Sequence, residues 1–201
     1  MGTLIADRWL PVQHMKILAI SGSLRRLSLN TMVLRAAARA APDDVEIELY
    51  DSLADIPPFN PDIEPDESAA VSDFRDHIKK ADGVLICSPE YAHGVSGVLK
   101  NALDWVVGSG ELAFGKPVAI LNVSLSSQFA DTQLRETIKT MDAYLVEAAS
   151  ILIPVQGKKL DETGLADHTE LGPLLRSAVT TLADVILARQ SKRADGINLP
   201  G

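Results

Sequence analysis

The stretch SGSLRRLSLN, Ser21 to Asn30, gathers three serines, an asparagine, two arginines and one glycine. Ser21, Ser23, Ser28 and Asn30 offer short side-chain donors. Arg25 or Arg26 adds a full positive charge in a forked geometry. Gly22 lets the backbone turn tightly. An apolar run ends at Ile20, and Leu29, Met32, Val33, Ala36, Ala37 and Ala40 then recur at helical spacing. The donors therefore stand where a buried strand becomes a helix, beside N–H groups that no helical carbonyl satisfies and that carry partial positive charge. This is a set of groups suited to a phosphate monoester dianion. Ser28 or Asn30 also qualifies as a helix cap. Capping explains one of those two and leaves Ser21, Ser23 and the arginines unexplained.

A second group of residues lies in SPEYAHGVSGVLKNALDW, 88–105, directly after another apolar run. Pro89, Glu90, Tyr91 and Gly94 make a stiff shelf whose backbone groups suit the edge of a flat heteroaromatic ring. Tyr91 serves either as ring contact or as a half-buried rim residue. His93 either lies alongside the ring or is a surface histidine without chemistry. Leu103 and Trp105 sit at helical spacing from Leu99 and read as packing or subunit-interface residues.

The elements that must carry these loops alternate along the chain. KILAIS (16–21), GVLICS (83–88) and PVAILNVS (117–124) are short apolar runs and read as buried strands. VEIELY (45–50) alternates apolar with polar, as a half-buried strand near a sheet edge does. ILIPVQ (151–156) reads as a last strand, with Pro154 pointing to an edge position. Val71, Phe74 and Ile78 mark a helix, as do Val98, Leu99, Ala102, Leu103 and Val106. Leu134, Ile138, Met141, Leu145 and Ala148 predict a long one. Leu171, Leu175, Val179, Leu182 and Ile186 face a closing helix. DIPPFNPDIEPDE (55–67), with four prolines, reads as a loop. Strands alternating with helices predict an α/β fold with a parallel sheet covered on both faces. Five such strands suit the three-layer, doubly wound flavodoxin-like order 2-1-3-4-5. Its ligands sit beyond the carboxyl ends of the strands at the switch in strand order, here between the first and third strands, so both loops should face one crevice.

The 201 residues suffice for one domain, taken as 15–195, with 1–14 as a loose extension. A net charge of −8 argues against bulk attraction to nucleic acid or anionic lipid. Cys87 is the single cysteine, which excludes an intramolecular disulfide and suits a reducing cytoplasm. One cysteine and four scattered histidines build no zinc pattern. No run reaches the roughly 20 apolar residues of a membrane span. GELAFGK (110–116) matches the spacing of a Walker A loop, but Pro117 replaces its Ser/Thr and the segment precedes a strand. No G-x-G-x-x-G follows the first strand, so a mononucleotide is favoured over a dinucleotide held in the Rossmann manner.

The two quoted motifs together resemble the NADPH-dependent FMN reductase family, which includes quinone, chromate and azo-dye reductases. The resemblance covers about residues 15–190. It implies that Ser23, Arg25, Ser28 and Asn30 match the family's FMN phosphate loop, and that Pro89, Glu90, Tyr91 and Gly94 match its isoalloxazine loop. A third contact segment, NVSLSSQFADTQLR (122–135), often holds a glycine-rich turn in the family. Here it has Ser124, Ser126 and Ser127 and no glycine. The resemblance further implies FMN as cofactor and NADPH or NADH as co-substrate. It also implies a small-molecule electron acceptor, a homodimer or homotetramer, and no catalytic acid or nucleophile. A flavodoxin-like electron carrier and a flavin-binding regulator are the rival expectations.

Overall fold

A computed structural model describes residues 14–66, 68–107, 110, 112 and 115–196. The expected extension, apart from His14, lies outside the described residues. Four parallel strands form the centre: β1 (Met15–Ser21), β2 (Val45–Leu49), β3 (Gly83–Cys87) and β6 (Pro117–Leu121). A two-residue strand, β7 (Tyr144–Leu145), completes a five-stranded sheet of order β2-β1-β3-β6-β7. A separate hairpin, β4 (Glu90–Tyr91) with β5 (Gly94–Val95), follows β3. Leaving the hairpin aside, this is the predicted 2-1-3-4-5 order.

The sheet is buried on both faces because both faces are apolar. Ile17 and Ala19 of β1, Leu85 and Cys87 of β3, and Ala119 and Leu121 of β6 pack with α1 (Leu29–Ala40) and α6 (Leu171–Ala194). The intervening Leu18, Ile20, Val84, Ile86, Val118 and Ile120 face α2 (Ala69–Lys80), α3 (Gly97–Val107) and α4 (Gln128–Thr140). Each fully buried Leu or Ile contributes about 1.5–3 kcal/mol relative to exposure, so this two-sided packing dominates the fold's stability. The predicted stripes on α1, α2, α3 and α6 are the buried faces, with Leu29, Met32 and Val98 only partly buried. Trp105 is intramolecular packing: its Nε1 donates to Pro57 O at 2.8 Å and its ring meets Phe59 edge-on. By length and composition, α6 alone among the described residues could cross a membrane, but 44% of its apolar window is buried, and that face is the core of the domain.

Two expectations need correction. The fifth strand is not 151–156. The edge is entered at Tyr144–Leu145, a 3-10 turn at Glu147–Ala149 diverts the chain, and only Leu152 returns, as an isolated parallel bridge to Asn122. The bridge is closed by Asn122 N donating to Ile151 O and Ile153 N donating to Asn122 O, at 2.9 and 2.7 Å. Pro154, without an N–H, ends it. The fourth helix is also shorter than predicted. It stops at Thr140, and Asp142 takes a left-handed φ of 58°. Met141 and Leu145 continue the apolar spacing because they enter the core from the connection and from β7. Within the proline-rich 55–67 stretch, Pro61–Asp66 is a 3-10 turn.

Lys116, the residue that mimicked a Walker lysine, has a structural role. Its Nζ donates to Ile78 O and Ala81 O at 2.7 and 2.6 Å. A cation is thereby placed on the free carbonyls at the end of α2.

Candidate cofactor site

Parallel pairing sets Ser21 opposite Cys87 at the carboxyl ends of β1 and β3. The loops that follow meet at once. Gly22 N donates to Cys87 O at 2.9 Å. A Cβ at Gly22 would lie 2.5 Å from Ser88 Oγ and 2.8 Å from Ser96 Oγ. Only a residue without a side chain allows this approach.

Beyond this contact opens a cavity of about 430 Å³, walled by three loops. Ser23, Arg25, Ser28 and Asn30 come from the first, Pro89, Glu90 and Tyr91 from the second, and Ser124 and Ser126 from the third. Nine of the twelve predicted residues are thus brought together. Ser21 is not among them. It is buried, pairs with Thr31 Oγ1 at 2.8 Å and accepts from Ser23 N at 3.3 Å, so it shapes the loop from behind. His93 and Gly94 lie on the far side of the hairpin, lining a groove between α3 and α4.

The first loop is preformed through its acceptors, which leaves its donors available. Ser28 caps α1 by accepting from Thr31 N at 3.3 Å, and Ser23 Oγ accepts from Arg25 N at 3.4 Å. Each hydroxyl keeps its own hydrogen to give. Asn30 Oδ1 accepts from the Cys87 thiol at 3.2 Å, so its amide hydrogens remain for the cavity it lines. Burial pushes the Cys87 thiol up, which keeps it a neutral donor. Arg25 is exposed at the rim.

The hairpin turns at Ala92 and His93, with φ of 48° and 59°. Positive φ at both central residues matches the twist of two-residue hairpins, but the left-handed conformation is disfavoured for residues bearing a Cβ. Three contacts to α4 hold it there. The Glu90 carboxylate accepts from Ala130 N at 3.0 Å, in the first turn of a helix whose own cap, Ser127, makes no side-chain bond. Gln133 Oε1 accepts from Val95 N at 2.8 Å. The rings of His93 and Phe129 stack at 4.3 Å. Glu90 therefore acts on the shelf through α4.

The glycine-free third loop turns by side-chain hydrogen bonds. Asn122 Oδ1 accepts from Ser124 N at 3.0 Å, and Ser124 Oγ accepts from Ser126 N at 3.3 Å. Ser124 Oγ also pairs with Ser126 Oγ at 2.9 Å and donates to Gln156 Oε1 at 3.2 Å. Gln156, Val123, Leu27, Leu29 and Ser127 complete the cavity wall. Sequence reasoning placed Val123 and Ser127 within the third contact segment without assigning them a contact, and missed Leu27, Leu29 and Gln156 as wall residues. Gln156 arrives from 32 residues beyond Ser124 and no local spacing connects the two.

The NADPH-dependent FMN reductase family model matches residues 15–157, which carry all three loops. The chain belongs to this family. Among curated relatives, an NAD(P)H-dependent FMN reductase of Pseudomonas aeruginosa is 37% identical over 159 residues, 73% of this chain and 85% of the relative. A quinone reductase of Escherichia coli is 34% identical over 170 residues, 78% of this chain and 90% of the relative. Among solved structures, the NAD(P)H:(acceptor) oxidoreductase FerB of Paracoccus denitrificans superposes with a TM-score of 0.78 at 24% identity. The match covers 87% of this reductase-family chain and 98% of FerB, and it shows the shared flavodoxin-like fold.

Proposed function

We propose that the protein is a flavin-dependent oxidoreductase. It takes reducing equivalents from NADPH or NADH and delivers them to a small acceptor such as a quinone, a free flavin, an azo compound or a metal oxyanion. The observation that carries this reading is the convergence of the three loops on one cavity of about 430 Å³ at the strand-order switch. That volume lies in the ordinary range for small-molecule sites.

The donor set fits FMN. The hydroxyl hydrogens of Ser23 and Ser28, the Asn30 amide and the Arg25 guanidinium would hold the phosphate. Pro89, Glu90 and Tyr91 would border the ring system, with Ser124 and Ser126 opposite. Bound FMN supplies the two-electron chemistry that none of these side chains can perform. The chain's own residues bind, orient and shield. Gly22 and Asn30 fix the phosphate loop against Cys87 of β3, and Ser28 caps the helix that follows. Glu90 and Gln133 fix the hairpin on α4. Tyr91, half exposed, stands at the mouth. No acid or nucleophile is assigned a proton-transfer role.

A homodimer or homotetramer in the cytoplasm belongs to the same proposal. The groove between α3 and α4, with the exposed side chains of Val107 and Phe129, is the face we assign to a second copy. Apolar side chains exposed along one groove favour such a contact.

The test is the visible spectrum of purified protein reconstituted with FMN, followed by anaerobic titration with NADPH and with NADH and then addition of a quinone. Flavin bleaching by the nucleotide and recovery with the quinone are expected. Retained flavin that neither nucleotide bleaches would sink the reductase reading in favour of an electron carrier.

A further inference from the structure

Arg25 and Arg26 are adjacent in sequence but serve different cavities. Arg25 lines the main cavity, whereas Arg26 lines a second one of about 270 Å³, together with Arg35, Met32 and Leu160. The two cavities share Leu27, Ser28 and Leu29, which form a common wall between them. Arg26 and Arg35 are both exposed. Neither guanidinium has an ion-pair partner among the described residues. Two carboxylates face them and are engaged elsewhere. Asp161 Oδ1 caps α5 (Glu162–Ala166) by accepting from Gly164 N at 2.7 Å, and Glu162 pairs with Arg39 at 3.7 Å. The segment from Lys16 to Ala41 carries five basic residues and no acidic one, in a chain of net charge −8.

We propose that this second cavity receives the adenosine 2′-phosphate end of NADPH, with Arg26 and Arg35 as its anion ligands. This rests on the reductase reading above and deepens it, because it supplies a basis for preferring NADPH over NADH. A forked guanidinium pair suits a phosphate monoester, which NADPH has and NADH lacks. Leu27, Met32 and Leu160 give an apolar wall for a flat base. The volume suits part of a dinucleotide and not the whole. The shared wall puts that part next to the cavity where the reacting end would work.

The experiment measures binding of 2′,5′-ADP and of 5′-ADP to flavin-free full-length protein by calorimetry. Both probes carry two phosphates, and only the first carries one at the 2′ position. Binding of 2′,5′-ADP should be at least ten-fold tighter than that of 5′-ADP. Arg26→Ala with Arg35→Ala should abolish the difference, and Arg26→Lys with Arg35→Lys should restore part of it. FMN should not displace the probe, and Arg25→Ala should leave it bound. In turnover, the ratio of kcat/KM for NADPH over NADH should fall ten-fold or more in the double alanine variant. Equal binding of the two probes, or displacement by FMN, would overturn the assignment. Probe binding that behaves as expected while neither nucleotide is oxidised would sink the reductase reading alone.

Discussion

The Cys87 thiol donates to Asn30 Oδ1 across 3.2 Å, joining the end of β3 to the first turn of α1. The thiol is fully buried, and burial raises its pKa. Tyr50 behaves likewise: burial is the main cause, with its hydrogen bond to Asp73 at 3.1 Å adding to it. Both groups hold their protons more tightly folded than unfolded. Their stabilising effect is complete below the unfolded pKa values, about 8.5 for Cys and about 10 for Tyr, and is lost as pH rises beyond them. Each should steepen the loss by up to about 1.4 kcal/mol per pH unit. Denaturant melts from pH 7 to 11 should show this decline. Cys87→Ala should remove the part that begins near 8.5, and Tyr50→Phe the part that begins near 10. A decline unchanged in both variants would refute the assignment.

Gly22 controls how closely the first two loops approach. Gly22→Ala places a methyl group within 2.9 Å of Ser88 Cβ. Overpacking of this kind costs about 1–3 kcal/mol. A lowered Tm and weaker flavin retention are expected together. Ser88→Ala in the same chain should recover part of the Tm, since it removes the nearest atom, Ser88 Oγ.

The contact proposed between Arg25 and the flavin phosphate is charge-assisted, and Arg25→Ala would remove about 1.5–3 kcal/mol of binding. FMN affinity, measured by equilibrium dialysis, should fall ten-fold or more, while the unfolding free energy without flavin stays within about 0.5 kcal/mol of wild type, as for an exposed residue. Unchanged affinity would place the phosphate elsewhere.

Glu90 serves as the missing cap of α4. Glu90→Ala should cost about 0.5–2 kcal/mol, the range for loss of a capping acceptor. Glu90→Gln keeps an acceptor oxygen and should cost less. Chemical denaturation of flavin-free protein separates the two. Equal losses would mean that the bond to Ala130 N contributes nothing.

The sequence made the frame legible wherever one physical rule acted alone. Val33, Ala36, Ala37 and Ala40 fall on the buried face of α1 because helical period and burial agree. The near-continuous apolar runs at 16–21 and 83–88 are strands because both sheet faces are covered. Legibility failed where two rules overlapped. Leu145 fits the spacing of α4 yet belongs to β7, and a two-residue strand carries no period of its own. In the site, the first loop was readable as one wall of the cavity because its donors are contiguous. The capping role of Glu90 and the position of Gln156 were not, since each depends on a partner at least 30 residues away.

The hairpin after β3 is one thin partition with a different room on each side. Pro89, Glu90 and Tyr91 border the main cavity, Ala92, His93 and Gly94 border the helix groove, and no residue separates the two sets. Its turn is held in an uncomfortable backbone shape by α4. A contact that moves the groove side of this turn should therefore bear on the chamber wall as well, because consecutive residues of one hairpin form both.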